Sequence, residues 1–507
     1  MRHARMTAAA LLVLAALLAA AAPRASAAEA PEWEVYRSNV KAIPIGNGAS
    51  TVGKALGAFL DYEFDLPLEF MRRAQSYTGP STRLRRVVAS MLAGRKVEVA
   101  ILGGSVSAGA VASRKMDPTD PNDVWNLVRL ALQKGVSPKI EFYNNARAAT
   151  KSYITSLCVD KFLNATADLV FVEFIANDGS EMDTQIFGPQ EKTRSFERFL
   201  RKIQGQPSNP AVVMMQMLVS EMALPPGGRD GKPKRGFWST PEDNYGNLAQ
   251  YYDIPTLSFR DALWQLGDNG RDGMSWDDFM GSDRLHPNDR GHRLMSDMVV
   301  YLLQQTAVDL LVHPLSAADV AASRAPMPPP MFDANEAGRE QVCAQGKEMK
   351  DYVASSDGWS LVEYDGPGMK YPTYGYETTQ TGKPLVLQVD TTTPGGPAGA
   401  AAGVVLTYTK AQTGFGNAKI TCANGCTCDP VTLDGAVEYD QIVVFLEELH
   451  PSAAPTCQVR VEMDSSSPSG SKLRISGVAI TADPGHVSGR IGEEKYMSWL
   501  TGENWAA

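Results

Sequence analysis

Apolar residues through the middle of the chain fall in short, nearly continuous runs, separated by longer segments whose apolar positions recur with the period of a helix. The runs Val97–Leu102, Ile140–Asn144, Leu169–Phe174 and Val212–Met217, with a shorter one at Thr256–Phe259, predict strands. The segments Leu84–Ala93, Asp123–Lys134, Tyr153–Leu163, Lys192–Gln204 and Pro241–Tyr252 predict helices between them, and Arg290–Gln305 predicts a closing helix. A strand without polar alternation is buried on both faces. The pattern therefore predicts an α/β domain with a parallel sheet covered on both sides and a site at the carboxyl ends of its strands.

The pattern changes at both ends of this unit. Residues 28–83 are more polar and read as an irregular leader, which leaves 84–313 as the α/β domain. Residues 314–340, with Met327-Pro328-Pro329-Pro330, read as a semi-rigid linker. Beyond it, segments such as Leu385–Val389, Gly403–Tyr408, Gln441–Phe445 and Leu473–Ile480 are β-rich and punctuated by Gly, Pro and Asp. Residues 341–483 thus predict an antiparallel β-sandwich, and 484–507 form a tail with no clear pattern. Trp359, Tyr364, Tyr371, Tyr374 and Tyr376 cluster in this second domain, as sugar-stacking surfaces or as core and rim aromatics.

Arg2 and Arg5, the apolar run Ala8–Ala22, Pro23 and Ala25-Ser26-Ala27 have the layout of a secretory signal cut after Ala27, residues 1–27. A membrane anchor is the alternative, but the run falls short of the roughly 20 apolar residues a spanning helix needs. Cleavage removes three arginines and moves the formal charge from −9 to −12. So acidic a chain, without a basic stripe, is not expected to take nucleic acid as its main partner, and no stable membrane insertion is expected. Cys158, Cys343, Cys422, Cys426, Cys428 and Cys457 make an even count, which favours disulfides in an exported chain. The four between Cys422 and Cys457 also suit zinc, though no second CxxC-type pair accompanies them, and spacing does not settle the pairing. Asn164-Ala165-Thr166 is an N-glycosylation sequon.

The candidate chemistry begins where the strand Val97–Leu102 runs into Gly103-Gly104-Ser105-Val106-Ser107-Ala108-Gly109. A serine hydroxyl at such a turn becomes a nucleophile only if a base takes its proton. On its own the turn is equally a tight strand-to-helix connection or an anion-binding loop. Asp283-Arg284-Leu285-His286-Pro287 supplies a carboxylate and an imidazole three residues apart, so that Asp283 can orient His286. His292, inside the closing helix, and His313, with Asp309 four residues upstream, are the rival histidines and read as structural. Acyl transfer also needs donors for a developing oxyanion. Asn177, in Glu173-Phe174-Ile175-Ala176-Asn177-Asp178-Gly179, is the candidate side-chain donor, with a turn-capping role as its alternative. Asn144–Ser152 offers a backbone N–H near Ala149.

These four segments, in this order, resemble the SGNH hydrolases, also called GDSL-type esterases and lipases, over about Val97–Leu303. More narrowly, the chain resembles secreted SGNH-like proteins of plants and algae. Gly104 stands where that family usually has the aspartate of GDS, Ala149 where its second block has a glycine, and Ile175 where G-x-N-D has its glycine. The D-x-x-H block is intact at Asp283 and His286. The resemblance implies a three-layer α/β/α domain, a Ser105-His286-Asp283 triad, and an oxyanion hole from Ser105, Ala149 and Asn177. It requires neither cofactor nor metal. A secreted serine esterase acting on O-acetyl or other acyl esters of carbohydrates is the expected function, its partner an acylated small molecule or polysaccharide. A glycan O-acyltransferase, a lipase and a catalytically weak glycan-binding protein are the alternatives.

Overall fold

The computed structural model describes residues 32–45, 50–114, 117, 119–148, 150–179, 191–337, 340–364, 373–393, 400–437, 442–465 and 470–482. Residues 1–27, expected to be a signal, Ala149, Tyr371 and the tail 484–507 lie outside the described residues.

Six strands form the first sheet: β1 (Gln75–Tyr77), β2 (Val97–Gly103), β3 (Ile140–Asn144), β4 (Leu169–Glu173), β5 (Ala211–Gln216) and β6 (Thr256–Ser258). Their order is β1-β6-β5-β4-β2-β3, parallel except for the edge strand β1, which runs antiparallel to β6. Every residue of β4 and β5 is buried, which requires cover on both faces. The cover comes from α1 (Thr82–Leu92), α2 (Val124–Gly135), α3 (Ser152–Leu157), α4 (Glu191–Gln204), α5 (Glu242–Tyr251), α6 (Phe259–Gly267) and α7 (Asp289–Val312). Helix α7 packs on α1 and α2, and α4 on α3 and α5. Local chemistry starts several of them. Asp123 accepts from Trp125 N at 2.9 Å, Ser258 caps α6, and Asn288 accepts from Gly291 N at 3.0 Å to open α7 just after the histidine turn.

The segment expected to be an irregular leader is part of this core. It holds helices at Glu32–Ala42, Val52–Leu56 and Leu68–Ala74, and buries Phe59, Leu60, Phe70 and Met71 almost completely. Pro44, Gly57 and Pro67 cut it into pieces too short for a helical period to stand out. Asp297, buried on α7, fastens it by accepting from Asp65 N at 2.8 Å, Leu66 N at 2.9 Å and the Tyr62 hydroxyl at 2.8 Å. The Pro-rich stretch is likewise held down. Arg201 donates to Pro328 O at 2.8 Å, Tyr251 to Pro329 O at 3.0 Å, and Asn335 is fully buried.

The second domain pairs two sheets around one apolar core. One contains β8 (Val353–Ser355), β11 (Leu385–Val389), β14 (Ala418–Ala423), β15 (Val431–Leu433) and β17 (Cys457–Met463). The other contains β7 (Glu340–Gln345), β9 (Ser360–Tyr364), β10 (Thr373–Thr378), β12 (Gly403–Ala411), β13 (Gly414–Phe415), β16 (Ile442–Leu449) and β18 (Gly470–Thr481). Pairing is antiparallel apart from β13 with β18, giving a sandwich-like domain. Trp359 and Tyr376 belong to its core, so of the aromatic cluster they present no face to a polymer. Cys422 bonds Cys428 and Cys426 bonds Cys457, which puts the clustered cysteines in disulfides. The third bridge, Cys158–Cys343, joins the end of α3 to β7, over a small contact of Leu157 with Val405, Leu446 and Ala479.

Candidate active site

The nucleophile candidate stands where β2 ends. Gly104 N donates to Glu173 O at 3.0 Å, and the chain then turns tightly, with Ala108 N on Gly104 O and Ala110 N on Ser105 O. Ser105 is thereby lifted from the end of β2 to the carboxyl edge of the sheet. Its hydroxyl lies 2.7 Å from His286 Nε2, across 181 positions of sequence.

The histidine turn precedes α7 and is shaped by its own aspartate. Asp283 Oδ1 accepts the backbone N–H groups of Leu285 and His286, both at 3.0 Å, while Oδ2 meets His286 Nδ1 at 2.7 Å. Arg284 bridges the turn in the left-handed region, at φ 61°, and pairs with Asp277 at 2.5 Å. Burial alone would raise the Asp283 carboxyl, but the His286 side chain and the two N–H donors hold it down to about 2. A carboxylate on Nδ1 fixes the imidazole as the Nδ1–H tautomer, which leaves Nε2 as an acceptor facing Ser105.

Asn177 lies in the one-turn helix Ile175–Asp178 that follows β4, and its amide packs over Gly104. A Cβ at Gly104 would overlap Asn177 Oδ1 and come within 2.9 Å of Cγ. Gly104 is thus required for space, since its φ is not positive. The loop after β3 is tied to the same turn, with Arg147 N donating to Gly103 O at 2.9 Å and Asn144 Nδ2 to Ser107 O at 2.8 Å. Ala149, the expected backbone donor on this loop, lies outside the described residues.

The two rival histidines sit elsewhere. His292 is fully buried in α7, where Val124 N approaches its Nδ1 at 3.4 Å and burial pushes its imidazole down to about 4. His313 follows the end of α7, is largely exposed and meets Asp309 at 3.0 Å.

Other residues at the site were not singled out from the sequence. Asp178 accepts Ser152 N at 2.9 Å and the Tyr245 hydroxyl at 3.0 Å, and so anchors the start of α3 behind the 145–151 loop. Arg235 donates to Gly179 O at 3.0 Å, and Arg229 to Ser282 O at 3.0 Å and Asp283 O at 3.4 Å. One loop after β5 therefore grips both the Asn177 turn and the Asp283 turn. Asp178 had a signal, the acid beside Asn177. The arginines had none, because loop positions carry no periodicity.

Residues 101–294 match the GDSL-like lipase/acylhydrolase family. No curated protein sequence matches the chain. Among solved structures, the two-domain esterase CEX, active on acetylated mannans, aligns with 17% identity and a TM-score of 0.57, covering 82% of this chain and 99% of that one. The same esterase co-crystallised with mannopentaose aligns with 18% identity and a TM-score of 0.58, covering 84% of this chain and all of that one. At these identities the likeness is one of fold, and it extends over both domains. The chain therefore carries a GDSL-like lipase/acylhydrolase domain of the SGNH superfamily, a domain of carboxylic ester hydrolases.

Proposed function

We propose that the protein is an exported serine esterase that removes O-acetyl or related acyl groups from carbohydrates. The observation that carries this reading is the unbroken chain of 2.7 Å contacts from Ser105 Oγ to His286 Nε2 and from His286 Nδ1 to Asp283 Oδ2. In this mechanism His286 takes the Ser105 proton as Oγ attacks the ester carbonyl carbon. The tetrahedral oxyanion is held by the Asn177 amide and the backbone N–H groups of Ser105 and Ala149. The imidazolium then returns its proton to the departing sugar oxygen as the carbonyl C–O bond breaks. Water, deprotonated by His286, attacks the acyl-enzyme and releases the acid and free Ser105. Asp283 keeps its charge throughout and stabilises the imidazolium.

Carbohydrate as the alcohol side is supported by the two-domain fold shared with an esterase active on acetylated mannans. It is also supported by Trp238, 71% exposed, three residues beyond the Arg235 that grips the Asn177 turn. The turn that carries it is held by Arg260 Nη1 on Phe237 O at 3.1 Å, Ser239 N on Gly236 O at 3.0 Å and Thr240 N on Trp238 O at 3.1 Å, and it leaves the indole open to stack on a sugar ring. Export is supported by the segment 1–27, by three disulfides, and by the exposure of Asn164 in its sequon. No helix among the described residues is long and apolar enough to cross a membrane.

The test is acetate release from acetylated mannan, acetylated xylan and short acyl esters by wild type and Ser105→Ala. Release by wild type and its loss in S105A is expected. Equal rates in the two would refute the assignment of Ser105, and acetyl transfer to added oligosaccharide exceeding release would make the protein a transferase.

A further inference from the structure

The mechanism uses no group from β4, yet that strand ends in a buried acid. Glu173 follows Leu169-Val170-Phe171-Val172 and has no exposed surface. Its carboxyl oxygen Oε2 and its carbonyl both reach toward the Ser105 turn. Glu173 Oε2 accepts from Ser107 N at 3.1 Å, the Ser107 hydroxyl lies beside the same carboxyl, and the Glu173 carbonyl accepts from Gly104 N at 3.0 Å. One residue thus holds the chain on both sides of Ser105. Asn144 completes the hold by donating to Ser107 O at 2.8 Å.

We propose that Glu173 is a positioning residue for Ser105: it clamps Gly104 and Ser107 and so keeps the Ser105 hydroxyl on His286. The proposal rests on reading Ser105 as the nucleophile. The ionisable neighbour whose field reaches Glu173 is Asp178, in the turn after β4, and it carries the same sign. Burial first, and Asp178 in addition, push the Glu173 carboxyl up to about 8, against the Ser107 and Gly104 donors that pull it down. At neutral pH the clamp is therefore a neutral acid, able to donate as well as accept. The folded chain keeps a proton that the unfolded chain loses near pH 4.5. The contribution of Glu173 to stability is complete below that pH and falls away as pH rises through about 8. Glutamine keeps the shape and both hydrogen-bonding roles and cannot ionise.

The test compares wild type, Glu173→Gln and Glu173→Leu in the full chain. The readouts are kcat and KM on p-nitrophenyl acetate from pH 6 to 9.5, the rate of fluorophosphonate labelling, thermal melts, and amide exchange over residues 103–108. E173Q is expected to keep kcat and labelling within about threefold of wild type, and to lack both the fall in melting temperature expected of wild type between about pH 4.5 and 8 and the fall in activity expected as the carboxyl ionises around pH 8. E173L is expected to lose about a hundredfold in kcat and labelling rate, as a misplaced reacting group does, with KM nearly unchanged and faster exchange at 103–108. A folded E173L with wild-type kcat overturns the proposal, as does an E173Q that loses as much as E173L or keeps the alkaline fall. Should E173L fail to fold, the pH profile of E173Q decides. A wild type that resists labelling, yet has a 103–108 turn that E173L loosens, refutes the nucleophile reading and supports the clamp.

Discussion

Replacing Gly104 with alanine tests the proposed oxyanion role of Asn177 with one methyl group. The added Cβ falls on Asn177 Oδ1 and within 2.9 Å of Asn177 Cγ, closer than carbon atoms approach in folded proteins. Gly104 is held against yielding by its N–H on Glu173 O at 3.0 Å, where β2 and β4 end side by side. Asn177 cannot back away as a unit, because Ile175, Ala176 and Asp178 around it are buried. The amide must therefore rotate off its present position. Losing one oxyanion donor costs roughly 10²–10³-fold in kcat, about 3–4 kcal/mol. The assay is kcat and KM on p-nitrophenyl acetate for Gly104→Ala, Asn177→Ala and the double variant, with melts to show that each is folded. Both single variants should lose about that factor in kcat with little change in KM, and the double variant should lose no more than N177A alone, since the methyl acts only through the amide. A G104A enzyme with wild-type kcat, or losses that add fully in the double variant, would refute the reasoning.

Four further outcomes are expected. Asp283→Asn should lower kcat on the order of 10³–10⁴-fold by releasing the Nδ1–H tautomer, and a loss below tenfold would mean another group orients His286. Because the Asp283 carboxyl is held down to about 2, its contribution to stability is present above the ordinary carboxylate range and is lost as pH falls toward 2. His292 is held near 4 by burial, so the unfolded chain takes up a proton first on acidification and stability is lost between about pH 6.5 and 4, by roughly 3 kcal/mol. His292→Gln should flatten melting temperature against pH in that window, and an unchanged slope would show that His292 is not the group responsible. Trp238→Ala should reduce kcat/KM on an acetylated polysaccharide about tenfold, the worth of one stacked aromatic, while leaving p-nitrophenyl acetate within about twofold. Equal effects on both substrates would remove Trp238 from sugar binding.

Much of the first domain was legible because its physics is local. Strands buried on both faces must be continuously apolar, and Leu169–Glu173 and Ala211–Gln216 announce themselves that way. Helix α7 was marked by its period, though it starts at Asp289 and runs on to Val312, past the expected Gln305. The helices of residues 32–74 were not legible, because Pro44, Gly57 and Pro67 cut the segment into pieces too short for a helical period to stand out. The antiparallel edge β1 escaped for a similar reason, since three residues carry no period.

At the site, the sequence determined which chemical groups exist and their local frames. The Asp283–His286 spacing lets one carboxylate oxygen cap its own turn while the other holds the imidazole, and the paired glycines let the chain bend sharply before Ser105. What tertiary structure alone decided is which groups meet. Ser105 and His286 come together because β2 and the start of α7 end at one sheet edge, and Asn177 overlies Gly104 because β4 pairs with β2 in a register that sets Glu173 beside Gly103. The pairing of Cys158 with Cys343, the grip of Arg229 and Arg235, and the burial that neutralises Glu173 arise in the same way. Each depends on distances between segments far apart in the chain, and such distances are set by packing of the whole core, which no local pattern encodes.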